Sequence, residues 1–507
     1  MTDYRTPLAP SPFRTAPGTL THWSVTGKAI FIFVIVFAAY FLLRSPGLDE
    51  IDSVNFAMGV RKFDLWNHQP HPPGYPLFIF LGWIATKIFS MTPETSLHLV
   101  SAFGGAVFVA AWFWIVQLQF SQRLAWWVAV CLTITPVVWM TATKVFSDTL
   151  AAGFLSAEIL AAILFVQRKD PSRLLIASLF GAAAAGARPQ MIPMVAIILF
   201  VALRQAKANR QLWFLSWGAL FAGCFVWILP TWYLQVRLQP NFPAWLVYPR
   251  LLYDQWKWRF GRPHTFIGAG DWTLRYLGAR FAEHILGWLG LGFGFIRSWI
   301  ALALGGSIMF LGIGAYLVRS KEIQDRQFWK FHAPWSLLHT VIMFACLDGT
   351  QRYYLPIFPL LLVVVMRGVL RMGRPYNWIA AALPVLLFYI TVPAALQNHW
   401  QESPGARLAH CLQQLYPASR RQSVVFYSDH ARRYVEWYAP EFQTFAELPP
   451  VSELPRIVAD KAAVYTDDPK LPLPAGWHCV PIATFKRSAL IHVKDHTLTL
   501  YLIDRHS

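Results

Sequence analysis

The chain has 507 residues, of which 56% are hydrophobic and only 14% charged, with 24 Trp, 38 Phe and a mean hydropathy of +0.40. That composition excludes an ordinary soluble globular domain and indicates a polytopic membrane protein. The formal charge of +18 would suggest nucleic acid in a soluble chain, but here Lys and Arg collect in short loops between apolar segments, a pattern that sets topology and excludes nucleic acid as a partner.

Residues 1–27 are polar and Pro-rich, carry Arg5 and Arg14, and enter an apolar run with no clear small-residue cleavage site, which predicts a cytoplasmic tail and an uncleaved anchor. A membrane domain is expected over 28–396, with segments long enough to span at 28–44, 98–118, 124–142, 148–167, 173–187, 190–204, 213–236, 298–318, 332–348, 353–370 and 376–396. Two further apolar stretches, 76–90 and 277–296, are ambiguous. Basic residues decide: Arg168, Lys169 and Arg173, then Arg204, Lys207 and Arg210, then Arg319, Lys321, Arg326 and Lys330, then Arg367, Arg371 and Arg374 all face the cytoplasm only if the two ambiguous stretches lie along the outer face. The expected fold is therefore a polytopic α-helical membrane protein of about eleven spans with juxtamembrane helices.

On the outer side this topology leaves a first loop, 45–97, which opens on Asp49, Glu50 and Asp52 and closes on the run His71-Pro-Pro-Gly-Tyr75-Pro. If the acidic turn is helical, Asp49 and Asp52 share one face while Glu50 points elsewhere. Lys144 and Asp148 in ATKVFSDT, Arg188 in AGARPQM, and Arg352 with Tyr353 in QRYYLPIFP fall on the same side. Charge is costly near hydrocarbon, so each group must pair, snorkel or serve a water-filled cavity. Singly, each is as well explained by a helix cap or a headgroup contact. Their gathering on one face points to a site. The outer segment 237–297 is dense in Trp, Tyr and Arg and reads as amphipathic surface helices.

From 397 to 507 charge and proline rise and the apolar runs shorten, which predicts a separate soluble α/β domain. SVVFYSD, KAAVYTDD and TLTLYLID read as strands, and HARRYVEWYA and VSELPRIVAD as helices. Cys411 and Cys479 are candidates for an outer disulfide that no spacing rule supports.

The acidic first loop, the Pro-Pro turn before an apolar helix, the helix-start Asp148, the Gly-x-Arg-Pro step at Arg188 and the late Arg-Tyr-x-x-Pro-x-x-Pro from Arg352 together resemble the GT-C glycosyltransferases, in the style of protein O-mannosyltransferases and lipid A aminoarabinose transferases. The likeness runs from Arg44 to about Leu362. In those relatives an Asp-Glu pair is followed by an aromatic residue. Asp52, Ser53 and Phe56 fall on that frame with the Glu replaced, which leaves Asp49, Glu50 and Asp52 as candidates for the base, Asp52 favoured.

The resemblance implies transfer of a sugar from a polyprenyl-phosphate donor to an acceptor hydroxyl, with inversion, at the outer face of a bacterial inner membrane. Such chemistry needs a base for the hydroxyl and cations for the departing phosphate. His71, Lys144, Arg188 and Arg352 are the candidate phosphate ligands, Arg352 foremost because guanidinium grips phosphate oxygens in pairs. Asp148, Tyr75 and Tyr353 are expected to line the substrates. Membrane lipid is a partner, the acceptor is a glycan, lipid or protein, and a divalent metal is left open. The alternative is a transporter or flippase for lipid-linked or small polar cargo, which predicts internal repeats and broken midplane helices.

Overall fold

The computed structural model describes residues 24–260, 273–289, 299–319, 322–346, 351–373, 377–429, 431–447, 449–450, 452–487 and 496–505. The tail to residue 23, residues 261–272 and 290–298 of the outer segment, and Lys321 and Arg374 of the basic loops lie outside the described residues.

The membrane domain is built from α1 (Val25–Leu42), α2 (Ile51–Arg61), α3 (Pro76–Phe89), α4 (Pro93–Gln119), α5 (Gln122–Ile134), α6 (Pro136–Ala142), α7 (Asp148–Arg168), α8 (Pro171–Ala187), α9 (Ile192–Gln205), α10 (Arg210–Leu238), α11 (Val247–Phe260), α12 (Leu274–Leu289), α13 (Trp299–Arg319), α14 (Ile323–Cys346), α15 (Phe358–Arg371) and α16 (Asn377–Trp400). Every segment expected to span falls on one of these helices or, for 124–142, on the bent pair α5 and α6. Among the described residues, six helices are long and apolar enough to cross a membrane, and up to eight spans result if α5 with α6 and α13 with α14 each count as one. The expected eleven is not reached by length and hydropathy, because α8 and α9 have only 17 and 14 residues and α14 carries several charges.

Several helix starts follow directly from local chemistry. Thr92, Asp170 and Ser403 each stand before a proline, and each side chain accepts a hydrogen bond from a first-turn backbone N–H, that of Thr95, Ser172 and Ala406. Proline at the first helical position lacks only an N–H that would have no helical partner. Between α4 and α7 the backbones nearly touch: a Cβ on Gly153 would lie 2.6 Å from the carbonyl oxygen of Gly104. Small residues permit such close packing where lipid supplies no hydrophobic drive between helices. Beside this contact, Ser101 of α4 donates to Phe146 O at 3.0 Å and Thr149 of α7 donates to Ser101 O at 2.9 Å, which pins the Lys144–Asp148 loop to α4.

The C-terminal domain holds α17 (Pro404–Leu415), β1 (Val424–Tyr427), α18 (Arg432–Tyr438), β2 (Gln443–Phe445), α19 (Leu454–Asp460), β3 (Ala463–Thr466), β4 (Trp477–Lys486) and β5 (Thr497–Arg505). The sheet order is β2-β1-β3-β5-β4, parallel among the first three strands and antiparallel where β5 joins β3 and β4. The expected strands and helices are all present, and β2, β4 and α17 add to them. Cys411 and Cys479 are both free thiols, so the disulfide does not form. Helix α18 packs on α2. Tyr434 and Trp437 are buried with the membrane helices, and the Arg61 guanidinium lies 3.6 Å over the Trp437 ring.

Candidate active site

The first loop leaves α1 and is tied at once to its neighbours: Ser45 N donates to Thr143 O at 3.0 Å, and Ser45 Oγ lies 3.0 Å from His98 Nε2. Glu50 is extended, with φ −134° and ψ 160°, and α2 begins only at Ile51. Asp49 therefore precedes the helix, and the expected pairing of Asp49 with Asp52 on one face does not occur. Glu50 and Asp52 converge instead, and Asp49 turns away from both. Nor does Glu50, at the cap position, make a side-chain capping bond.

The convergence point is Arg352, on the 3-10 turn Gln351–Ile357 that leads into α15. Its Nη2 donates to Asp52 Oδ2 at 3.1 Å, and its Nη1 lies 3.5 Å from Glu50 Oε2. The guanidinium stacks 4.6 Å over Phe146 and 5.4 Å over Tyr353. On the other side of Asp52, His71 Nδ1 lies 3.8 Å from Oδ1, while His71 Nε2 is 2.9 Å from the Tyr75 hydroxyl. Tyr75, in the left-handed region at φ 48°, ends the loop and opens α3. Burial pushes the His71 imidazole below its usual range, with Asp52 opposing, so the ring is neutral at neutral pH. Burial likewise pushes the Tyr75 hydroxyl up to about 12.

A second cation stands beside this group. Arg188, at the end of α8, pairs with Asp148 at the start of α7 at 2.5 Å, and lies over the rings of Tyr353 at 5.1 Å and Tyr75 at 5.8 Å. Asp148, Arg188, Gln190, His339, Arg352 and Tyr353 line a narrow cleft. His339 Nε2 bonds to Tyr353 O at 2.8 Å.

Asp49 and Lys144 form a separate, enclosed cluster. Asp49 Oδ2 lies 3.6 Å from Lys144 Nζ, and Asp49 Oδ1 accepts from Arg487 of the C-terminal domain, whose Nη2 also donates to Asn398 Oδ1 at 2.7 Å. Burial alone would raise the Asp49 pKa, but Arg487 and Lys144 together hold the carboxyl below its ordinary range. Burial pushes Lys144 down to about 8, with Asp49 opposing, so it is still charged at neutral pH.

Eight of the ten expected residues thus meet in one site: Glu50, Asp52, His71, Tyr75, Asp148, Arg188, Arg352 and Tyr353. Exposure ranks the three acids, since the side chain of Asp52 is 29% exposed, that of Glu50 10% and that of Asp49 1%. Sequence reasoning missed Gln190, although it follows the Arg188-Pro189 step directly, and His339 and Arg487, which no local pattern marks. As for a divalent metal, each carboxylate of the site faces a guanidinium, and among the described residues no group of three or more His, Cys, Asp or Glu is arranged to hold an ion.

Residues 70–234 match the family described as dolichyl-phosphate-mannose-protein mannosyltransferase. No curated protein sequence matches the chain. Among solved structures, ArnT from Cupriavidus metallidurans in the apo state aligns with a TM-score of 0.58 at 14% identity, covering 94% of this chain and 98% of that one. The same protein bound to undecaprenyl phosphate aligns at 0.56 and 12% identity, with the same coverage. The Archaeoglobus fulgidus oligosaccharyltransferase tethered with an acceptor peptide aligns at 0.52 and 12% identity, over 87% of this chain and 69% of that one. At such identities the likeness is one of fold.

Proposed function

Proceeding from the GT-C fold of this chain, we propose that it is a membrane glycosyltransferase that moves a sugar from a polyprenyl-phosphate donor to an acceptor hydroxyl, with Asp52 as the base. The observation that carries this is the position of Asp52: it is the most exposed of the three candidate acids and stands between Arg352 and His71. The gathering of Glu50, Asp52, Asp148, His71, Arg188 and Arg352 at one end of the helices favours a transferase over the transport alternative.

Arg352 and Arg188 are the ligands for the donor phosphate. Arg352 faces two carboxylates at once, so an arriving phosphate competes with Asp52 for the guanidinium while Glu50 still balances part of its charge. Asp52, loosened from Arg352, takes the proton of the acceptor hydroxyl as that oxygen attacks the anomeric carbon. The bond from that carbon to the phosphate oxygen breaks on the opposite face, which inverts the centre. The lipid phosphate leaves with its growing negative charge met by Arg352. Neutral His71 stands 3.8 Å from Asp52, is tied to the Tyr75 hydroxyl, and offers its ring to the substrate. Asp49 has no part in proton transfer, being enclosed between Lys144 and Arg487.

The site is assigned to the extracytoplasmic side of a bacterial inner membrane. α7 runs from Asp148 at the site to Arg168 in a basic loop, α8 returns from Pro171 to Arg188, and α15 ends on Arg371. Site and basic loops therefore occupy opposite ends of the same helices, and the basic ends belong in the cytoplasm. Asp52→Asn keeps the size of the side chain and removes the proton acceptor. Transfer is expected to be lost while undecaprenyl phosphate binding persists. An active Asp52→Asn with an inactive Glu50→Gln would move the base to Glu50.

A further inference from the structure

We infer that the C-terminal domain is a working part of this site, with Arg487, Tyr434 and Tyr438 as positioning residues that hold the first loop so that Asp52 and Glu50 meet Arg352. The inference rests on the reading of Asp52 as base. Four contacts from the domain fall on three consecutive residues of the loop. A Cβ on Gly47 would lie 2.7 Å from the Tyr438 hydroxyl, so the loop backbone is pressed against that oxygen. The same hydroxyl accepts from Leu48 N at 2.8 Å. Tyr434 donates its hydroxyl to Asp49 O at 3.2 Å, and Arg487 grips the Asp49 carboxylate. Tyr434, Asp49 and Arg487 are all buried.

The loop has little room to absorb a displacement. Glu50 follows Asp49 directly in extended backbone, and Asp52 is the second residue of α2, so a shift at Leu48 or Asp49 is passed within one helical turn to both acids that face Arg352. None of the three positioning residues is among those that meet Arg352 or line the cleft.

Docking alone does not call for this arrangement. The domain already has apolar anchors in Tyr434 and Trp437, whereas a buried Arg487 sharing Asp49 with Lys144 carries a desolvation cost that its ion pairs only partly offset. Buried ionic groups add little net stability, and their best-attested use is to specify one geometry over its neighbours. Here the geometry specified is that of the loop that presents the base.

The test uses the full-length protein and the polyprenyl-phosphate sugar it consumes, found by screening undecaprenyl-phosphate-linked hexoses and pentoses, with undecaprenyl phosphate alone as the binding probe. The double variant Tyr434→Phe with Tyr438→Phe removes two hydroxyls and no apolar bulk. Its kcat is expected to fall about tenfold, with donor KM and undecaprenyl phosphate affinity held within about twofold. Arg487→Ala is expected to lose roughly a hundredfold in kcat, and Arg487→Lys to recover part of it. Thermal unfolding measured on the same samples distinguishes positioning from collapse. Wild-type turnover in the tyrosine pair and in Arg487→Ala would overturn the inference, as would a loss of donor binding and melting temperature that tracks the loss of turnover. Asp52→Asn in the same assay separates two failures. If it is inactive while the tyrosine and arginine variants turn over normally, positioning falls and the base stands. If it stays active, the base reading falls and takes this inference with it.

Discussion

Arg352 carries the heaviest load among single residues, because one guanidinium meets Asp52, Glu50 and the rings of Phe146 and Tyr353. Arg352→Ala is expected to cost about 2 to 4 kcal/mol of transition-state stabilisation, read as a fall in kcat/KM of roughly thirty- to a thousandfold with expression unchanged. Normal transfer by a well-expressed Arg352→Ala would remove the phosphate role. Asp49 makes a prediction of the opposite kind, about stability. Burial raises its pKa but Arg487 and Lys144 outweigh burial, so the folded carboxyl titrates below its ordinary value of about 4. As pH falls, the unfolded chain takes up its proton first, so the stability from this group is fully present above about pH 4 and is lost as pH drops through the folded value. Asp49→Asn, which leaves two buried cations less well balanced, should be less stable at pH 7 by about 3 kcal/mol, and the gap from the parent should narrow in thermal melts taken toward pH 3. A gap that stays constant with pH would show that the charge of Asp49 is not what stabilises. At this scale the sequence was informative wherever a residue type implied a partner. Asp52, His71, Arg188 and Arg352 were legible as charges that had to meet. The error at Asp49 came from extending a helix one turn too far upstream, where Glu50 is in fact extended.

Helices with long apolar runs were the most legible elements, because such runs are a local signal, whereas the short α17 went unread despite its Ser-Pro start. What the runs do not encode is which helices touch. The Gly104–Gly153 approach between α4 and α7 is invisible in either segment alone, yet it brings the two helices together one to two turns past Asp148, which pairs with Arg188. Gly153→Leu forces a side chain against the Gly104 carbonyl and is expected to destabilise by about 1 to 3 kcal/mol, lowering the melting temperature of the detergent-solubilised protein. Gly218, around which a new Cβ would meet nothing within 4 Å, is the control, and equal melting of Gly153→Leu and Gly218→Leu would count against the close packing. In the C-terminal domain the three strands with uniform β-branched or aromatic character were read correctly. β4 was missed because Pro481 interrupts it at a register shift, and β2 because three residues give no period to detect.

For the molecule as a whole, orientation is the first thing to check. Ser419 of the C-terminal domain and Gln167 at the end of α7 are both exposed. With Cys411 and Cys479 replaced by serine, Ser419→Cys should react with a membrane-impermeant thiol reagent in intact cells, and Gln167→Cys should react only after lysis. The reverse pattern would turn the whole arrangement over. The change in composition after residue 397 is visible in the sequence, but the contacts that join this part to the first loop are not. Arg487 and Asp49 are separated by 438 positions, and no window of sequence spans such a pair. That separation has a consequence for biosynthesis. The first loop is made soon after α1, and Arg487, the partner of its Asp49, is made 438 residues later than Asp49. Contacts this distant in sequence form last, so the nascent chain passes through most of its translation with an unfinished loop. If Asp52 is the base, a chain that stops short of Arg487 is expected to carry its membrane helices with the first loop unset, and transfer is expected only after β4 and β5 have folded against that loop.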